Sequence, residues 1–118
     1  MIRPEDTQCR ILIYAKPVDF RKQVNGLSLI VQSVLNHNPM SGDLFVFFNR
    51  SANKVRILYW ERTGFVLYGK YLEEDRFVVP KSQDQSLLIS AEQLRWLLEG
   101  ININLIKPHQ TRHYDLAG

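Results

Sequence analysis

At 118 residues the chain has room for one domain, taken as 1–118 with a compact core at about 10–103, and it can bury that core without disulfides or a structural metal. Its 45% apolar and 23% charged residues exclude global disorder, and a formal charge of +3 is too small to argue by itself for a polyanion partner. A single cysteine, Cys9, excludes an internal disulfide and favours a reducing compartment.

In chain order, Arg10-Ile-Leu-Ile-Tyr14 is a short β-prone run closed by Lys16-Pro17, and a first strand is expected there. From Val18 the period changes. Phe20, Val24, Leu27, Val31 and Val34 recur at spacings of four and three, which draws one apolar stripe along a helix over about 19–37. Asp19 is its expected N-cap, and Asn36-His-Asn-Pro39 its stop. Gly26 inside the helix costs about 1 kcal/mol relative to alanine and suggests close packing against a strand. Ser41-Gly-Asp43 is a turn signal, followed by β-prone runs at Leu44–Phe48, Lys54–Trp60 and Phe65–Tyr71. The links between these runs have hairpin length and composition. A further short strand is expected at Arg76–Val79, stopped by Pro80, and a polar loop at Lys81–Ser86. Ser90 and Gln93 form a capping box that opens a helix over about 90–99, ended by Gly100. The fold expected is therefore α+β. It is an antiparallel meander of four to five strands, with the long helix packed on it and a short C-terminal helix after it. The remainder, 104–118, reads as a basic, loosely ordered tail.

Strand alternation sorts the meander into two faces. Leu44, Val46, Phe48, Val55, Ile57, Tyr59, Val66 and Tyr68 share one, and the first helix is the expected cover. The other carries Phe45, Phe47, Lys54, Arg56, Leu58, Trp60, Phe65, Leu67 and Tyr71. A sheet apolar on both sides needs two covers. The second helix is short, so three readings stay open for this face: core, partner interface through Phe45, Phe47, Trp60, Phe65 and Tyr71, or a platform for nucleic acid.

Chemistry-bearing residues are few. Arg21 and Lys22 fall in the first turn of the expected helix, where cations oppose the dipole at about 0.3–1 kcal/mol each. An anion bound there would explain them, and so would an ion pair between Asp19 and Arg21. Arg50, Lys54, Arg56, Arg62, Lys70, Arg76 and Lys81 add cations along the hairpins, mixed with Glu61, Glu73, Glu74 and Asp75. Arg21, Lys22, Arg50, Lys54, Arg56, Arg62 and Lys70 are the candidate nucleic-acid contacts. His109 and His113 have half a zinc spacing, with no paired ligands before them. No nucleophile elbow or phosphate-cradling glycine loop is present, so neither a catalytic residue, a metal nor a cofactor is assigned. The opening Met-Ile-Arg-Pro-Glu-Asp lacks the layout of a signal peptide, and no apolar run nears the roughly 20 residues that span a bilayer. A cytoplasmic protein with no membrane partner is expected.

The order Val18-Asp-Phe-Arg-Lys-Gln-Val-Asn-Gly-Leu27, Ser41-Gly-Asp-Leu-Phe-Val-Phe47 and Lys54-Val-Arg-Ile-Leu-Tyr-Trp60 forms one part of a pattern. Gly64-Phe-Val-Leu-Tyr-Gly-Lys-Tyr-Leu-Glu73 and Leu97-Leu-Glu-Gly-Ile101 complete it. Over about residues 10–103 the chain resembles the small accessory proteins, often called TnpB, of insertion sequence 66 elements, which are distinct from the RNA-guided nuclease of that name. The resemblance implies a non-catalytic protein encoded beside the transposase that assists DNA transposition by binding transposon DNA, the transposase or both. The matching positions are Asp19, Arg21, Lys22, Gly26, Leu27, Gly42, Phe45, Lys54, Trp60, Gly64, Lys70, Leu72 and Glu73. The tail departs from the family's arginine-rich ending, with Lys107, His109, Arg112 and His113 thinly spread. The alternative is a homo-oligomeric interaction module without direct DNA contact. The expected partners are thus the element's transposase, DNA and a second copy of the chain.

Overall fold

The computed structural model describes residues 9–105, so the expectations for the tail beyond Leu105 lie outside the described residues. Five strands and two helices follow one another as β1 (Ile11–Tyr14), α1 (Val24–Ser33), β2 (Leu44–Phe48), β3 (Lys54–Glu61), β4 (Gly64–Tyr71), β5 (Ser86–Ile89) and α2 (Ala91–Leu98). A 3-10 turn at Ile103–Leu105 closes the described chain. The strands form one sheet in the order β4-β3-β2-β1-β5.

The fold is α+β, but the sheet is mixed. β2, β3 and β4 form the expected antiparallel meander. β1 instead lies parallel to β2, with Ile11, Leu12 and Ile13 opposite Leu44, Phe45 and Val46. Between them the chain crosses back through α1, and a strand-helix-strand crossover is the connection that parallel neighbours require. The second edge is β5, antiparallel to β1. No strand forms at Arg76–Val79. Phe77 enters the core from an irregular segment instead, its amide donating to the Ala52 carbonyl at 2.7 Å and its ring 5.8 Å from that of Phe48.

The long helix is shorter than its apolar stripe. Asp19 shapes a turn that precedes the helix: its carboxylate accepts the Arg21 amide at 2.9 Å, and its carbonyl accepts the Lys22 amide at 3.0 Å. The helix begins five residues after Asp19, at Val24, with extended Gln23 before it and no side-chain cap. Arg21 and Lys22 therefore lie in the turn and not in the first helical turn. At the other end the helix finishes at Ser33, and Asn36 redirects the chain at φ 57°. Without caps or first-turn acids, α1 is held by packing. Leu27 and Val31 are fully buried, each side chain contributing roughly 1.5–3 kcal/mol. Gly26 serves the turn and not a strand: a Cβ there would lie 2.9 Å from the Cβ of Lys22, which folds over the helix start.

Alternation assigns the faces as expected, with the two covers exchanged. Phe45, Phe47 and Leu58, with Leu12, pack against Leu27, Val31 and Leu35, so α1 covers the aromatic face. Val46, Phe48, Val55 and Ile57 pack with Leu94, Leu97, Phe77 and Ile103, so α2 and the following chain cover the other. The capping box of α2 is formed, with the Gln93 amide donating to Ser90 Oγ at 3.1 Å and the Ser90 amide to Gln93 Oε1 at 2.9 Å. Gly100, at φ 86°, ends that helix in the left-handed region that glycine occupies most readily.

Candidate nucleic-acid interface

One open cleft of about 690 Å³ lies between the Pro17–Arg21 segment and the β2–β3 hairpin. Two features place its walls. The Val18 amide donates to the Phe48 carbonyl at 2.9 Å, which ties the first wall to the end of β2. The second wall is the Asn49–Asn53 loop, organised by the Asn49 side chain. Its Nδ2 donates to Asn53 Oδ1 at 2.7 Å, and its Oδ1 accepts the Lys54 amide at 3.0 Å. Ala52, at φ 57°, completes this tight loop.

Four cations line the cleft, Arg21, Arg50, Lys54 and Arg56, against one carboxylate, Asp19. They are not equivalent. Arg21 forks onto Asp19, with Nη2 to Oδ2 at 2.6 Å and Nε to Oδ1 and Oδ2 at 3.1 and 3.0 Å. The pair holds the Asp19 carboxyl at about 2, below its ordinary 3.8, chiefly through the side-chain hydrogen bonds from Arg21, and pushes the Arg21 guanidinium up. Arg56 is half-buried and structural. Its Nη1 donates to the carbonyls of Phe20 at 2.8 Å and Lys22 at 3.0 Å, and its guanidinium sits 4.6 Å from the centre of the Phe20 ring. It projects from the α1 face of β3, opposite Gly69. Arg50 is exposed and makes no side-chain hydrogen bond or ion pair with another described residue. Lys54 is exposed too, its Nζ 5.7 Å from the centre of the Tyr71 ring. The cations most available to a ligand are thus Arg50 and Lys54, on a rim whose floor is fixed by Arg56.

The other candidate contacts are elsewhere. Lys22 is exposed in the turn but outside the cleft lining. Arg62 is in the β3–β4 turn, just beyond the far end of β3 from Lys54 and about 27 Å away along the strand. Lys70 reaches the opposite face, where Nζ donates to the Leu98 carbonyl at 2.8 Å and satisfies the C-terminal end of α2. The five interface candidates also separate. Phe45 and Phe47 are completely buried beneath α1 and closed to any partner. Trp60 and Phe65 stack edge-on at 5.0 Å, half-buried, and Tyr71 is 53% exposed, so what remains accessible follows the β3–β4 margin. Asn49 and Ser51, which shape the cleft, escaped the sequence reading. Their only signal is a polar Asn-Arg-Ser-Ala-Asn link between two strands.

Among the described residues no three His, Cys, Asp or Glu side chains are grouped as metal ligands, and no helix is long and apolar enough to cross a membrane. Asp43, a buried acid, accepts the Arg10 amide at 2.9 Å and Arg10 Nη2 at 3.1 Å, which fastens β1 to the start of β2. Fold and site together describe a small α+β protein with a basic, solvent-open cleft. Residues 9–108 match the family described as IS66 Orf2 like protein, and the chain belongs to it. Its curated relatives include two from Sinorhizobium fredii (strain NBRC 101917 / NGR234), both described as uncharacterized. Protein y4jC is 37% identical over 98 residues, covering 83% of this chain and 84% of the relative. Protein y4hO is 36% identical over 99 residues, covering 84% and 86%. No solved structure matches significantly. The family places the chain among transposition-associated accessory proteins of insertion elements.

Proposed function

We infer that the protein assists transposition without catalysing it, by holding the sugar–phosphate backbone of DNA in the cleft and associating with the element's transposase. The observation that carries the DNA half is the convergence of Arg21, Arg50, Lys54 and Arg56 from two separate segments around a single, already paired carboxylate. Cations that repel one another gather at a cost, and a polyanion offsets it by releasing its own counterions. Backbone contact of this kind positions a duplex without reading its sequence.

Salt dependence provides the test. If Arg50 and Lys54 each neutralise one phosphate, the log–log slope of affinity against salt is about −1.8. Arg50→Glu with Lys54→Glu abolishes that slope, and both changes lie on exposed side chains that leave the fold intact. Fluorescence anisotropy with a labelled terminal-repeat duplex at 25–200 mM salt reads this directly. A wild type with no salt-dependent binding overturns the DNA half. Co-purification with the transposase, with and without that duplex, tests the other half separately.

A further inference from the structure

We propose that the β4 edge is a self-association surface, on which two copies of the chain pair antiparallel about a two-fold axis and join their sheets into one. This does not rest on the DNA reading. The strand is one of the two margins of the sheet, eight residues long and thus about 27 Å, whereas the opposite margin, β5, has four residues. A long free edge presents a row of unpaired amides and carbonyls, and proteins ordinarily guard it with proline, a bulge or outward charges. β4 has none of these. It contains no proline, and its register with β3 runs unbroken from Gly64 opposite Glu61 to Tyr71 opposite Lys54. Its one charge, Lys70, is turned inward onto the Leu98 carbonyl.

Charge at the two ends of the strand selects the occupant and its direction. Arg62, exposed, precedes β4, and the exposed acidic run Glu73-Glu74-Asp75 follows it. Antiparallel pairing puts each end against its complement, whereas parallel pairing puts like against like. With Tyr68 opposite the partner's Tyr68, Phe65 faces the partner's Tyr71, and the turn that carries Arg62 comes to the end of the partner's strand from which Glu73-Glu74-Asp75 continue. The same register extends the Trp60–Phe65 edge-on pair with the 53% exposed ring of Tyr71 from the second copy. Tyr68 meets its own copy on the axis, and every other pairing occurs twice, as an isologous interface requires.

Sedimentation equilibrium of the full chain over a concentration series is the test. A dimer of twice the chain mass is expected. Arg62→Glu, at an exposed turn, weakens it roughly tenfold, because two attractive contacts become repulsive. Adding Glu73→Arg and Glu74→Arg to Arg62→Glu restores it, with circular dichroism confirming a native fold in each variant. A wild type that stays monomeric at every concentration overturns the proposal. So does a dimer indifferent to Arg62→Glu, or one that the compensating reversal fails to restore. None of these outcomes bears on the salt slope of DNA binding, so the two readings fail independently.

Discussion

Arg56 tests whether the cleft floor is a structural clamp or a ligand contact, and Arg56→Met separates the two. Methionine retains the apolar stem between Phe47 and Gly69, its neighbours across the sheet, and removes only the guanidinium. The loss comprises two charge-assisted hydrogen bonds, at 2.8 and 3.0 Å, and a stacked contact at 4.6 Å. Because the carbonyls of Phe20 and Lys22 recover some water, each bond is worth about 1 kcal/mol, below the roughly 1.5–3 kcal/mol of a charge-assisted bond lost in full. Stacking on Phe20 adds about 0.5–1 kcal/mol. The expected destabilisation is therefore about 2–3 kcal/mol, or roughly 10 °C in Tm for a domain of this size. Urea unfolding followed by tryptophan fluorescence measures it as a lowered midpoint at constant slope. Arg56→Lys keeps the charge but has no planar fork to bridge two carbonyls, and falls between. Should Arg56→Met unfold within about 0.5 kcal/mol of wild type, inside the usual scatter of surface changes, the clamp argument is wrong.

Asp19 titrates at about 2 in the folded protein, and Arg21→Ala returns it towards 3.8, as carboxyl carbon shifts against pH would show. Since the folded value is depressed, the stabilisation from this pair is complete above about 3.8 and disappears as pH falls through 2. Ser90→Ala removes the oxygen that accepts the Gln93 amide and costs about 1 kcal/mol, measured by the same urea titration, with Ser90→Gly milder. Phe47→Ala empties a fully buried site under α1 and costs about 3–5 kcal/mol. A much smaller loss there would mean that α1 does not close that face as described.

The strands of the meander and α2 were legible because each carries its own local signal: alternating β-branched and aromatic residues bounded by turns, and a serine–glutamine capping box. What escaped depended on partners remote in sequence. Ser86–Ile89 is too short to declare itself a strand, and it becomes one only because β1 supplies the other half of the ladder. Phe77 is apolar enough to suggest a strand at Arg76–Val79, yet the preceding chain offers it a single amide–carbonyl bond and a core position, and nothing more. The parallel placement of β1 was implicit in the strand-helix-strand order. Treating every strand as a meander neighbour overlooked the crossover. The exchange of helices between the two faces has a different cause. Alternation says which side chains share a face, but two apolar faces and two apolar helical stripes leave the pairing undetermined.

Electrostatics were legible as composition and not as arrangement. The sequence offers seven candidate cations, and charge alone ranks them equally. Geometry divides them by what each is bonded to: Arg21 to a carboxylate, Arg56 to two carbonyls, Lys70 to the end of α2, with Lys22, Arg50, Lys54 and Arg62 left facing solvent and only Arg50 and Lys54 of these lining the cleft. Arg50 lies within the Asn49-organised loop and Lys54 directly follows it, so these charges are carried on a loop tied down by its own side-chain bonds. A site that must grip a charged backbone benefits from that arrangement, because side-chain freedom is kept while the loop presenting it is ordered in advance. Arg56 then has a consequence beyond stability. By fixing the Phe20 and Lys22 carbonyls it fixes the wall opposite Arg50, so its removal should lower DNA affinity even where the charge lost is not itself a contact.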